Sequence, residues 1–222
     1  MSGNAASSLV SIASAGAHIE GALGMPDASF GVVLFAHGSG SSRHSPRNKY
    51  VAEKLREAGL ATLLVDLLST DEDVDYAMRF DIGLLTNRLA DAADFLSKDK
   101  RTAGLPVGLF GASTGAAAAL EVAARMPERI AAVVSRGGRP DLVPAPTLRR
   151  VKAPTLLIVG ARDYGVIELN QQVHAELTCS KQIELVPGAT HLFEERGALE
   201  AVAQLAARWF VRHLAPAVVP MR

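Results

Sequence analysis

Val107-Gly108-Leu109-Phe110-Gly111-Ala112-Ser113-Thr114-Gly115-Ala116 is the stretch on which the reading of this chain turns. An apolar run ends in a Gly-x-Ser-x-Gly pattern, and an alanine-rich stretch of high helix propensity follows at once. A strand that turns sharply into a helix, lifting one serine hydroxyl above the sheet, has this pattern. Gly111 and Gly115 leave room where strand and helix nearly touch, since a side chain there would meet a neighbouring backbone. Ser113 is therefore the first candidate nucleophile.

Outward from this turn, apolar runs alternate with helical periodicity. Residues 30–36 form a continuous apolar strand suited to a buried central position. It empties into His37-Gly38-Ser39-Gly40-Ser41-Ser42-Arg43, a polar, glycine-rich loop where backbone groups can approach a ligand. A helix is expected over 49–58, ended by Gly59, then a buried strand over 60–65 closed by Asp66. Leu85, Leu89, Ala92 and Phe95 mark an amphipathic helix over 82–95. After the Ser113 strand come a helix to about Arg125, a strand over 130–134, and a proline-punctuated interval with an abbreviated crossover helix. A strand over 155–159 ends in Gly160-Ala161-Arg162-Asp163. A helix over 167–177, a shorter strand over 182–186 closed by Pro187-Gly188, and a last helix from near Leu199 complete the series. In that last helix Trp209 reads as core. Upstream, residues 9–12 and 17–23 are expected to form an edge hairpin through Ser14-Ala15-Gly16. The alternation predicts a mostly parallel α/β sheet with helices on both faces.

With 222 residues, the chain is expected to be one domain over 1–222 with a core from about 9 to 214. Such a domain buries roughly 70% of its extended surface. Its 23 basic and 23 acidic residues balance, and no basic block suggests nucleic acid as a partner. Cys179 is the single cysteine, so an internal disulfide is excluded and the residue reads as a small, partly buried hydrophobe. No basic region leads into an apolar leader, and no run of 18 apolar residues crosses the chain. A cytoplasmic protein without membrane insertion is expected. The acidic cluster of Asp71, Glu72, Asp73 and Asp75 reads as a solvated loop or helix start rather than a metal site.

Three polar residues stand just beyond separate apolar strands: Ser113, Asp163 and His191. Parallel strands exit at one sheet edge, so such residues can converge there. A serine nucleophile needs a base, and the base needs an orienting acid, which these three supply in the order Ser, Asp, His. Asp141, beyond the preceding strand, is the competing acid. His37 is assigned to loop hydrogen bonding, and His44, His174 and His213 have no matching partners in sequence. Arg43, Arg136 and Arg162 are placed to ring the mouth with positive charge, which would favour a carboxylate-bearing substrate. Arg43 is the expected substrate-binding residue, because its loop should border the nucleophile.

The chain resembles the α/β-hydrolase superfamily, and within it the dienelactone-hydrolase-like branch with a minimal cap. The likeness spans about residues 9 to 210. It rests on Gly111-Ala-Ser-Thr-Gly115, the strand exit Gly160-Ala-Arg-Asp163, Pro187-Gly-Ala-Thr-His191 and the loop His37-Gly38-Ser39-Gly40 falling in order. The resemblance implies a three-layer α/β-hydrolase fold in which Ser113 attacks an acyl carbonyl, His191 moves the proton and Asp163 holds the imidazole. It also implies oxyanion donors at the backbone N–H groups of Thr114 and Ser39. Two departures matter: dienelactone hydrolases proper carry a cysteine nucleophile, and a glutamate where His37-Gly38 stands here. Both point to a serine carboxylesterase acting on small-molecule esters or lactones.

Acyl transfer or thioester cleavage by the same triad is the alternative chemistry, and a binding protein retaining the fold is the non-enzymatic one. No cofactor or metal is expected, since Gly38 and Gly40 do not complete a dinucleotide fingerprint and no ligand cluster is evident. The reading allows a homodimer, although no stretch marks its interface.

Overall fold

Strand β1 (Ser8–Ser14) pairs antiparallel with β2 (Ala17–Gly24), in a computed structural model that describes residues 7–14 and 17–216. The expected hairpin is present, and its turn residues 15 and 16 lie outside the described residues. β2 pairs antiparallel with β4 (Ala61–Val65). From there the sheet runs parallel through β3 (Val32–Ala36), β5 (Val107–Ala112), β6 (Ile130–Arg136), β7 (Thr155–Gly160) and β8 (Lys181–Val186). The spatial order is β1-β2-β4-β3-β5-β6-β7-β8. Every residue of β3, β4, β5 and β7 is buried, as their unbroken apolar sequences require of strands covered on both faces. β1 alternates buried and exposed residues, as a half-covered edge strand does.

Alternate side chains of each strand feed two cores. On one face Leu34 and Leu109 meet Leu85 and Leu89 of α2 (Ile82–Lys98), Leu120 of α3 (Thr114–Arg125) and Val173 of α5 (Tyr164–Glu176). The short α4 (Ala145–Leu148) is the abbreviated crossover expected between the prolines. On the other face Val33, Phe35 and Phe110 meet Leu55 of α1 (Pro46–Glu57) and Val202 and Phe210 of α6 (Ala198–Leu214). Helix, sheet and helix thus form the three layers of an α/β-hydrolase fold. Trp209 is buried, and its indole N–H donates to Pro154 O at 3.3 Å. Cys179 packs half-buried against the first core.

Helix starts differ from the sequence reading. α1 begins at Pro46 rather than Lys49, because Ser45 caps it, its Oγ accepting the Asn48 N–H at 3.4 Å, and Pro46 takes the first helical position. α5 begins at Tyr164, directly after Asp163. Among the described residues no group of three or more metal-ligating side chains converges, and no helix is long and apolar enough to cross a membrane.

The acidic cluster is more than a solvated loop. Two short 3-10 turns, Glu72–Val74 and Met78–Phe80, carry it between β4 and α2. Glu72 accepts two hydrogen bonds from the buried Arg88, at 2.5 and 2.6 Å, while Arg88 also donates to Leu67 O at 2.9 Å. Arg88 holds the Glu72 carboxyl at about 2, below its usual 4.5. A carboxyl lowered on folding contributes stability that is present above its unfolded value and lost as pH falls through the folded one. Chemical unfolding of wild type should therefore show stability draining between about pH 5 and pH 2. Glu72→Gln should remove that part of the slope and cost about 3 kcal/mol at pH 7, because it strands a buried guanidinium. An unchanged slope in the variant would place the acid sensitivity elsewhere.

Candidate active site

β5 ends at Ala112 and α3 begins at Thr114, so Ser113 alone makes the turn. Its backbone sits at φ 50°, ψ −123°, a conformation that costs a residue with a side chain on the order of 1–3 kcal/mol. Three hydrogen bonds hold it there. The Ser113 N–H donates to Arg136 O at 3.4 Å, and Ser113 O accepts from the N–H groups of Ala116 at 3.0 Å and Arg139 at 3.1 Å. The flanking glycines are obligatory on steric grounds: a Cβ on Gly111 would strike the backbone of Ala116, and one on Gly115 the carbonyls of Ala36 and His37.

Asp163 follows β7 and His191 lies in the loop after β8, so both reach the sheet edge where Ser113 stands. His191 Nδ1 lies 2.7 Å from Asp163 Oδ2. Asp163 heads α5, and its side chain makes no capping bond to that helix, which leaves the carboxylate for the imidazole. A neutral His191 then carries its proton on Nδ1 and keeps Nε2 as an acceptor. The competing acid is occupied: Arg139 grips both carboxylate oxygens of Asp141 at 2.8 Å. Ser113 and His191 line one cavity of about 240 Å³ together with Gly38, Ser39, Arg47 and Arg136.

The two expected oxyanion donors differ in their surroundings. Thr114 is the first residue of α3, where a helix provides its N–H with no internal acceptor. The Ser39 N–H is already engaged, donating to Thr114 Oγ1 at 3.1 Å. It can meet a substrate oxygen only when that bond opens. His37 is the loop strut expected of it. Its Nε2 accepts the Leu67 N–H at 2.9 Å and its Nδ1 lies 2.9 Å from Gly38 O, which places the proton on Nδ1. Burial lowers its pKa and keeps it neutral.

The expectation for Arg43 is corrected by its partners. Asp66 Oδ2 and Glu20 Oε2 both bind its guanidinium, its backbone N–H donates to Asp66 Oδ1 at 2.6 Å, and it does not line the cavity. Its charge is spent fastening the glycine-rich loop to β2 and β4. Arg162 is likewise absent from the cavity wall, whereas Arg136 is on it. Arg47 was not anticipated. The Ser45-Pro46 helix start, a recognised capping signal, would have put it in the first turn of α1, facing the same edge.

A family model described as the dienelactone hydrolase family matches residues 19–214. The chain is 54% identical to a dienelactone hydrolase of Anabaena variabilis ATCC 29413 whose crystal structure superposes with a TM-score of 0.90, covering 94% of this chain and 98% of that one. Est1E of Butyrivibrio proteoclasticus shares the fold at 16% identity, with a TM-score of 0.79 over 94% of this chain and 99% of its own. Two curated proteins from strains of Mycobacterium tuberculosis, provisionally named phosphoribosyl transferases, are 57% identical over 196 residues. The match takes in 88% of this chain and 44% of theirs, so the chain spans less than half the length of those relatives.

The geometry ranks the two acids. A serine-directed phosphonylating probe should modify Ser113, and Asp163→Asn should slow that modification on the order of 10⁴-fold by upsetting the histidine tautomer. Asp141→Asn should leave the rate as in wild type. Equal slowing by both variants, read by mass spectrometry over time, would remove Asp163 from its assigned role.

Proposed function

Because the chain belongs to the dienelactone hydrolase family, we propose that it is a serine hydrolase that cleaves carboxylic esters, small esters or lactones, through an acyl-enzyme on Ser113. The 2.7 Å bond between His191 and Asp163, on the edge where Ser113 makes its strained turn, supports this most directly. A serine hydroxyl is a weak nucleophile at neutral pH and needs a base beside it, which the acceptor Nε2 of His191 supplies.

Ser113 Oγ attacks the acyl carbon while His191 Nε2 takes its proton. The carbonyl oxygen becomes an oxyanion facing the Thr114 N–H, with the Ser39 N–H joining once released from Thr114 Oγ1. Collapse of the tetrahedral intermediate expels the alcohol, which takes the proton back from His191. Water then repeats the attack on the acyl-enzyme, with His191 again as base, and frees the acid and Ser113. The Asp163 carboxylate stabilises the imidazolium that forms twice in each cycle. The small cavity favours a compact acyl group.

We assign the transferase activity in the name of the Mycobacterium tuberculosis relatives to the part of those proteins outside the match. A match of 196 residues in a chain of 222 necessarily overlaps most of residues 19–214, which the hydrolase family model covers.

Hydrolysis of short, long, acidic and lactone esters, measured beside Ser113→Ala, tests the reading. Wild type should turn over a subset, and Ser113→Ala should lower kcat on the order of 10⁶-fold. Retention of that activity in the folded variant, or inactivity of wild type across the panel together with an unreactive Ser113, would overturn it.

A further inference from the structure

Arg136 ends β6 directly beside Ala112 in the sheet register, one residue from the nucleophile. It is only 7% exposed, yet no carboxylate among the described residues pairs with it. Its guanidinium meets Asn48 Oδ1 at 3.4 Å and lies 5.8 Å from the centre of the Phe193 ring, and its Nε is buried with no acceptor. A buried, uncompensated cation is costly unless something else supplies the negative charge. Arg47 faces the same cavity. One of its Nη atoms pairs with the exposed Glu194 at 2.8 Å, and its Nε is again buried without an acceptor. Burial, and then the charge of Arg47, bring the Arg136 pKa down to about 10, so the two cations strain against each other.

The donors around this wall are too many for a carboxylate. A carboxylate has two coplanar oxygens, which one guanidinium fork satisfies. Here Arg47 and Arg136, together with Ser39, Ser41 and Ser45, line one small volume. Ser45 also caps the twelve-residue α1, whose positive end and unbonded first-turn N–H of Arg47 favour an anion at that place. Donors spread over several directions match a tetrahedral anion with three terminal oxygens.

We propose that this wall is a subsite for a phosphate monoester carried by the substrate, so that the ester cleaved at Ser113 is a phosphorylated one. Arg136 and Arg47 bind the phosphate as a handle, and no bond to phosphorus is broken. This rests on the serine-hydrolase reading for the reaction, but the anion site itself can be tested without turnover.

Three 4-nitrophenyl esters, matched in chain length and ending in a methyl, a carboxylate or a phosphate monoester, provide the first test. Wild type should favour the phosphate over the methyl ester in kcat/KM by about tenfold or more, with the carboxylate between them. Arg136→Gln and, independently, Arg47→Gln should each lower that phosphate-to-methyl ratio by about tenfold, mostly through KM. Arg47→Gln changes an outer helix turn and keeps the test valid should Arg136→Gln misfold. Equal efficiency with all three esters, a preference for the carboxylate, or a ratio unmoved in both variants would overturn the proposal. The second test is titration of inorganic phosphate into wild type and both variants, followed by calorimetry. Saturable binding weakened in the variants supports the subsite. Should no ester be cleaved and Ser113 prove unreactive, the hydrolase reading fails alone and this titration decides the subsite, absence of binding overturning it.

Discussion

The contact between the first turn of α3 and the end of β3 is the constraint on which the rest of this molecule depends. Gly115 lies so close to the carbonyls of Ala36 and His37 that no side chain fits between them. That proximity forces the chain to reverse within one residue, which drives Ser113 to positive φ and stands its side chain at the sheet edge. A turn of this kind persists only where its surroundings over-determine it. The two apolar cores provide that support, clamping α3 onto one face of β5 while α1 and α6 close the other. Stability accumulated across the sheet thus maintains an unfavourable conformation at one point. The parallel order of β5, β7 and β8 then delivers Asp163 and His191 to the same edge.

What could be read beforehand follows from what leaves a pattern in sequence. Burial on both faces leaves unbroken apolar runs, so β3, β4, β5 and β7 were legible, as was the edge hairpin from its alternation. Ser113 and Asp163 each follow such a run, His191 follows the shorter and more exposed β8, and the three could be brought together on paper because strand exits of a parallel sheet share an edge. The choice between Asp163 and Asp141 had no local signature. The structure separates them by their partners: Arg139 binds Asp141, and the start of α5 sets Asp163 beside the imidazole of His191. The competition of Thr114 Oγ1 for the Ser39 N–H was equally hidden, since it joins groups 75 residues apart.

The arginines show the same limit more sharply. Arg43, Arg136 and Arg162 all stand in loops or strand ends near the mouth, and composition alone cannot separate them. Arg43 finds Asp66 and Glu20 and becomes a fastener. Arg136 finds an aromatic ring, an amide and another cation, and no counter-charge among the described residues. Whether a buried charge is structural or poised for a ligand depends on its partners, and the partners here are fixed by strand register and helix placement rather than by spacing along the chain.

The ion pair of Glu72 with Arg88 has a wider meaning for how this fold can change. It anchors the connection between β4 and α2 at its near end, and the Asp81 cap of α2 anchors the far end. Between them neither 3-10 turn buries a residue, and Val74, Tyr76 and Phe80 lie on the outside. Met78 alone of these turns packs against the first core, so a change of length around Val74 and Tyr76 would leave both cores and the sheet register untouched. Over evolutionary time, this is where descendants of such a chain are free to acquire an extra module over the sheet edge where Ser113 stands without refolding what lies beneath it.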